Sequence, residues 1–448
     1  FQSSYLAFLF VLKNHNYMLD FCSTVKILRS KIEYILEKDE RLLKHSIIVT
    51  LATIIAMLIN YFYQLFVGRL LGPSSYGVFG ALVSITYIIS VFGGVINTSL
   101  TKFSSEFFEK KDFGKIKYML VDYSFKLLLL GALGFFAFLA LKDVFLSQLQ
   151  ISSFASYILV CLTIPLSLLF SLYTGIMRGM QKFKDYSILS ILAPIIKFIT
   201  GIAFILFGFS IFGAVFGITF SSFITTILAI LLLRHILEYK KEKAIGISIV
   251  KYSFPVLIAS LCITLMINLD ILFVKSIFPS EDAGFYYAAS TLTKVIFWVT
   301  GSLVFVMFPK ISAKYDLEKA RKILKSAIMY ACLFSILVIL AIIIAGDFIT
   351  TFTFGEVFIK ASGLMLPFAI AISFVSLNQI MINYSLAINR KVWKYLKLLI
   401  IFSIVEIFGI ILFHETLMSI ILAIMLSNLF LFLSFLALEF LGNKGSED

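Results

Sequence analysis

Residues Leu65–Leu82 read L-F-V-G-R-L-L-G-P-S-S-Y-G-V-F-G-A-L. They join the end of one apolar segment to the start of the next. Gly72-Pro73-Ser74-Ser75 is turn chemistry, and Gly77 then reopens a helix where a small residue allows close backbone approach. Arg69 stands at the rim of the first segment, where a long cationic side chain still reaches water. Some 200 residues later the pattern returns as Phe273-Val-Lys275-Ser-Ile-Phe-Pro279-Ser280-Glu-Asp-Ala-Gly284-Phe-Tyr-Tyr-Ala. Cation, apolar pair, Pro-Ser turn, glycine and aromatic recur in order, with Gly77 and Gly284 207 apart. The chain reads as built twice.

The composition sets the class. Of 448 residues, 60% are hydrophobic and 14% charged, against about 25% charged in soluble domains. The apolar segments run to about 20 residues, the length of a membrane-crossing helix, and the alternation of outer-membrane barrel strands is absent. Twelve spans are expected, at 47–68, 77–100, 119–141, 153–175, 188–208, 211–233, 252–275, 284–308, 326–346, 361–388, 396–413 and 416–441. The turn Gly208–Ser210 joins the fifth and sixth.

The positive charges orient these spans. Of 38 Lys and Arg, only Arg69, Lys142, Lys275 and Lys360 fall on one set of alternate loops, and Lys126, Lys197 and Lys294 fall within spans. The other 31 occupy the N-terminal segment, the opposite set of loops and the tail. By the positive-inside rule both termini are expected in the cytoplasm, in a multi-pass protein of the cell membrane. The net charge of +13 is then orientation charge beside anionic lipid, with no need of nucleic acid.

Residues 1–46 form an N-terminal segment whose Leu28, Ile32, Ile35, Leu42 and Leu43 suit a basic amphipathic interfacial helix. The apolar run Tyr5–Leu12 is too short to span and lacks a small-residue cleavage site, so residues 1–17 are expected to be dispensable, with Met18 as a candidate start. Domains are expected at 47–233 and 252–441, six spans each, with a basic cytoplasmic linker at 234–251 and a tail at 442–448. Further repeat matches support the division. Met180-Gln-Lys-Phe-Lys-Asp-Tyr186 resembles Ile388-Asn-Arg-Lys-Val-Trp-Lys-Tyr395, with the tyrosines 209 apart. The fold class is therefore an all-α polytopic membrane protein of about 12 helices. Its two six-helix bundles are related by a pseudo-two-fold axis along the membrane normal, as in transporters made of parallel repeats.

The signature Gly68-Arg-Leu-Leu-Gly-Pro-Ser-Ser-Tyr-Gly77 after the first span resembles the polysaccharide (O-antigen type) flippase family. So does Asp270 in the seventh span followed by Ala283-Gly284-Phe285-Tyr286. That family belongs to the multidrug/oligosaccharidyl-lipid/polysaccharide exporter superfamily, and the resemblance covers residues 42–441. It implies two bundles around a central cavity. They would move a polyprenyl-diphosphate-linked glycan from the inner to the outer leaflet by alternating access, coupled to Na+ or H+. Membrane lipid would be a further partner, and the protein would act as a monomer without a cofactor.

Ionisable residues inside a membrane are costly and by default mark a site. The cations Arg69, Lys126, Lys197, Lys275 and Lys294 outnumber the carboxylates Asp270 and Glu406, which suits a diphosphate head group. For Lys126 an i,i+4 pair with Asp122, or snorkelling, is an equal reading; Arg69 and Lys275 could equally be rim anchors. Asn60 and Gln64 on the first span, Asn268 and Asp270 on the seventh, and Asn378, Gln379 and Asn383 on the tenth are candidates for sugar or cation contact. Helix–helix hydrogen bonding is the competing role for these polar groups. Lys197 and Glu406, 209 apart, suggest a gate pair across the cavity. The cysteines are isolated and suggest no metal site or disulfide framework. No P-loop, metalloprotease helix or nucleophile elbow occurs, so an enzyme is not expected. Two other functions compete with this reading. A cation-coupled multidrug exporter favours an acidic aromatic pocket, and a glycosyltransferase or polymerase needs a carboxylate-rich external loop. The loop Asp347–Lys360 carries only Asp347 and Glu356.

Overall fold

The computed structural model describes residues 15–151, 153–243, 249–312, 317–388 and 390–441, with side chains from residue 48 onward except 249–253, 305–306, 308–310, 312 and 440–441. Among these residues the regular structure is all helical. Nine helical stretches among the described residues are long and apolar enough to cross a membrane. Two of them, Ile48–Glu109 and Phe183–Glu238, run to 62 and 56 residues, well over twice the length one crossing needs. Each is folded at a glycine with positive φ, Gly72 at 71° and Gly208 at 91°, a conformation that strains residues bearing a Cβ. Every one of the twelve expected spans overlaps a helix.

The first helix, α1, runs from His15 to Glu109 with Gly72 at its break. The expected surface helix is thus continuous with the first membrane leg, while Tyr5–Leu12 lies outside the described residues. The reading of the Pro73 turn needs correction. Pro73 through Tyr76 is not a loop, because the helix resumes directly after Gly72. Proline at a first helical position loses no bond, since its missing N–H would have had no partner there.

The chain then forms α2 (Phe113–Tyr118) and α3 (Ser124–Ala140), joined by a π turn, then α4 (Lys142–Gln148), α5 (Phe154–Gly179), α6 (Phe183–Phe204) and α7 (Ser210–Leu233). In the second half come α8 (Ile249–Ile277), α9 (Ser280–Thr293), α10 (Val295–Ser312), α11 (Leu317–Phe354), α12 (Ser362–Ile388), α13 (Val392–Leu412) and α14 (Leu417–Leu436). The repeat extends to turn geometry. The α5–α6 turn places Gln181 at φ 58°, and the α12–α13 turn places Lys391 at φ 54°, 210 positions later. The Gly213-xxx-Gly217 pair is a packing surface, as a Cβ on Gly217 would come 2.6 Å from Gly201 Cα.

Core organisation positions the site. One buried cluster is shared by the halves and joins Tyr63, Tyr76, Phe79 and Tyr157 to Tyr286, Tyr287, Phe358 and Phe368. A second lies wholly in the first half, around Met119, Leu172, Met177 and Ile236. A third lies wholly in the second half, around Leu324, Met381, Tyr384 and Tyr395. These two half-specific cores sit beside the basic loops. The molecule is thus one packed body at the charge-poor end and two at the basic end.

Candidate functional site

Polar contacts follow the same division. At the basic end several bind within a half. Lys117 Nζ donates to the carbonyls of Leu237 and Tyr239 at 2.6 and 2.8 Å, Lys182 Nζ lies 3.0 Å from His235 Nε2, and Arg321 Nε donates to Glu439 at 2.9 Å. At the other end they cross between halves. Tyr76 and Thr291 hydroxyls are 3.2 Å apart, and Tyr287 donates to Gln64 Oε1 at 3.3 Å. Gln64 therefore belongs to the inter-half seal, not to a sugar-facing wall. Tyr76 packs among Tyr287, Phe354 and Phe358, with ring centroids 4.7, 5.4 and 5.9 Å away.

The five cations expected in a common cavity separate into three groups. Lys126 is exposed on the flank of α3, beside exposed Phe125, Leu129 and Leu130, and its ammonium lies 5.1 Å from the Tyr123 ring centroid. It does not pair with Asp122, which instead takes Lys241 at 2.6 Å. Its long stem lets it cover apolar surface without entering a cavity. Arg69 and Lys275 are engaged across the closed end. Arg69 donates to the Phe352 carbonyl at 2.9 Å, and fully buried Lys275 donates to Gln150 Oε1 at 3.0 Å. Lys197 and Lys294 remain inside the bundles.

Lys197, on α6, donates to Asn60 Oδ1 on α1 and lies 4.6 Å from the Tyr63 ring centroid. An amide oxygen and a π face both favour a cation, so the charge is held without a carboxylate. Tyr63 is itself fixed by donating to the Ala214 carbonyl at 2.5 Å. In the second half, Tyr286 donates to Asp270 Oδ2 at 2.8 Å, while Asp270 Oδ1 is buried with no hydrogen-bond partner among the described residues. Lys294 lies within electrostatic reach of Asp270. It stands at the break between α9 and α10, although its N–H still bonds to Ser290 O at 2.9 Å.

Glu406 does not meet Lys197 in this structure. Its Oε2 accepts from Asn428 on α14 at 2.7 Å, and Asn428 accepts from Asn378 at 3.0 Å through its carbonyl and 3.2 Å through its side chain. Asn378 is thus helix–helix bonding, whereas half-buried Gln379 and Asn383 lie on another face of α12, with Asn383 bonded back to the Gln379 carbonyl at 2.8 Å. Asn268, next to Asp270, donates to its own helix at Thr264 O, 2.9 Å away. Asn428 and Tyr286 carried no assigned role in the sequence reading. Asn428 had a signal there, an amide in the middle of an otherwise apolar span, and Tyr286 had its place in the repeat and in the signature that follows Asp270. Among the described residues no three His, Cys, Asp or Glu side chains gather as a metal site would require.

The buried polar groups are thus divided between two bundles that separate at the basic end. This arrangement meets the comparisons with known proteins. The family model described as "Polysaccharide biosynthesis protein" matches residues 42–314. The chain belongs to that family. An uncharacterized membrane protein of Methanocaldococcus jannaschii is 24% identical over 310 residues, 66% of this chain and 72% of its own. Among solved structures, an inward-facing multidrug resistance MATE family transporter of the MOP superfamily aligns with a TM-score of 0.73 at 14% identity, covering 88% of this chain and 99% of its own. The lipid II flippase MurJ, in an inward closed conformation, aligns with a TM-score of 0.68 at 16% identity, covering 87% of each chain. The fold is the two-bundle membrane fold of that superfamily.

Proposed function

We propose that this polysaccharide-biosynthesis family member is a flippase for a polyprenyl-diphosphate-linked oligosaccharide. It works by alternating access in the cell membrane, with the basic end and both termini in the cytoplasm. The observation that carries the reading is the distribution of cores. Two half-specific cores at the basic end and one shared core at the other make a body that opens toward one side only. The lipid II flippase of similar fold gives the substrate class its precedent. In this reading residues 47–233 and 252–441 are the moving bundles, and 234–251 is their linker.

Within the opening, Lys197 and Lys294 would take the diphosphate, each supplying a charge-assisted contact. Gln379 and Asn383 would offer amide groups to sugar hydroxyls. Asp270 and Glu406 are the carboxylates available for coupling to H+ or Na+, and both sit in the second half. The test is translocation of a lipid-linked oligosaccharide in proteoliposomes, with and without an ion gradient. Lys197→Ala and Lys294→Ala should each slow it by an order of magnitude or more at equal protein level, the loss of about 1.5–3 kcal/mol expected for a charged hydrogen bond. Transport of cationic dyes, with no movement of the lipid-linked sugar, would replace this reading with a multidrug exporter.

A further inference from the structure

We propose that Arg69 and Lys275 form a reciprocal latch that holds the charge-poor end shut. The two cations are 206 positions apart, matching the repeat, and each ends the first membrane leg of its half. Arg69, in the first half, grips the carbonyl of Phe352 at the end of α11, in the second half. Lys275, in the second half, grips Gln150 on the α4–α5 turn, in the first half. Phe352, in the last turn of α11, and Gln150, just after α4, both come shortly before the fourth membrane helix of their halves. The structure therefore carries one interaction twice, with donor and acceptor exchanged between the bundles.

The two bonds flank the contact between Pro73–Gly77 and Ser280–Gly284. There the backbones approach so closely that a Cβ on Gly284 would fall on the Pro73 carbonyl, and one on Gly77 would lie 2.5 Å from Ser280 O. Any movement that parts the halves at this end must break both bonds. They are not equal. Arg69 is exposed, and water can replace its acceptor. Lys275 has no exposed surface, and Gln150 Oε1 accepts from one of its three N–H groups, with the Ser280 hydroxyl 3.4 Å from the same oxygen. Without Gln150 the buried ammonium favours opening, because opening returns it to water. Gln150 is thus the keystone acceptor, and the latch biases the protein toward the form open at the basic end. The transport consequence rests on the alternating-access reading; the geometry does not.

The test reads geometry without substrate. Full-length protein in lipid nanodiscs, with its four native cysteines replaced by Ala, carries spin labels at Lys142→Cys and Glu356→Cys, exposed positions at the closed end of opposite halves. The unmodified latch should give one short distance. Gln150→Gly, which suits the φ of 49° at that site and removes the acceptor, should add a population at longer distance. Arg69→Gln combined with Lys275→Met should do the same. Gly284→Ala serves as a wedge that opens this end whatever the latch does. If the wedge lengthens the distance while Gln150→Gly and the double variant keep the original one, packing alone closes the end and the latch is refuted. Unchanged distances in all three refute it as well. Should the double variant not fold, Gln150→Gly decides alone. A failed translocation assay would leave this result standing, and the converse holds too.

Discussion

Gly77 and Gly284 meet at the closed end of the molecule, each occupied, where its own Cβ would be, by the start of the other's helix. They are equivalent positions of the repeat, so the contact lies on the pseudo-two-fold axis itself. Van der Waals packing, not hydrophobic exclusion, drives helix association in lipid, and small residues let backbones approach. Here the approach brings two helix starts together, with Glu281 and Asp282 in the first turn of α9. Acidic groups there complement the partial positive charge of the helix end.

Glycines elsewhere separate packing from propensity. A Cβ on Gly131 of α3 would come 2.5 Å from Pro165 Cα on α5, a backbone contact that cannot yield, whereas Gly94 of α1 has nothing within 4 Å. Gly131→Ala should therefore lower the melting temperature of the detergent-purified protein. Gly94→Ala should leave it unchanged or raise it, since Ala gains about 0.5–1 kcal/mol over Gly in a helix interior. Equal losses at both positions would contradict the α3–α5 packing.

Loop accessibility tests orientation. Single cysteines near Ser74, Ser280 and Glu356 should react with an impermeant thiol reagent added outside intact cells. Cysteines at Lys110, Lys241 and Lys319 should react only after permeabilisation. External labelling at Lys241 would place an odd number of spans in the first half and remove the two-repeat architecture.

Much of this fold was legible in the sequence because lipid leaves little choice. Apolar segments of one bilayer length must be helices, and the Lys/Arg asymmetry sorts the loops. Two of these loops prove to be partners in the structure through Lys117 and Tyr239, and a third is tied by Arg321 to Glu439 at the end of the last span. Side-chain destinations were less legible. Repeat equivalence marked Arg69 with Lys275 and Gly77 with Gly284, yet equivalence does not say that two positions touch or what they touch. Lys126 was open to a cavity role and to snorkelling alike, because a lone charge in an apolar segment is ambiguous about its face. Helix rotation, set mainly by the packing of α3 on α5, put it outside.

The buried carboxylate of Glu406 gives a sharper test than its position in the repeat suggested. Because Asn428 is its donor, Asn428→Ala should destabilise the protein by about 1–3 kcal/mol, the cost of an unsatisfied buried group. Glu406→Gln should be milder, as an amide oxygen still accepts. A gate between Lys197 and Glu406 predicts that the double alanine variant regains activity lost in each single one. The present partners, Asn60 for Lys197 and Asn428 for Glu406, predict no such rescue in the flipping assay.

Two ion pairs at the basic end should differ greatly in what their loss costs. Glu439 is 3% exposed and accepts from Arg321 at 2.9 Å and from the hydroxyls of Tyr384 and Tyr395, both at 3.2 Å. Through it α11, α12 and α13 are tied to the π turn (Ala437–Leu441) that follows α14. Lys115 and Asp112 form a closer pair at 2.6 Å, but their side chains are 33% and 29% exposed, and water competes for both charges. Arg321→Ala removes the bonded countercharge of a buried carboxylate, leaving two neutral donors and the Lys391 ammonium within electrostatic reach, and should cost as much as about 3–5 kcal/mol. Lys115→Ala should cost about 1 kcal/mol or less. Salt separates them further, since 0.5 M salt screens an exposed pair within a few ångströms and reaches a buried one far less. Thermal unfolding of the purified protein at low and high salt measures both effects. A small, salt-sensitive loss for Arg321→Ala would mean that Glu439 is solvated, and that the second bundle is not closed at the basic end by this residue.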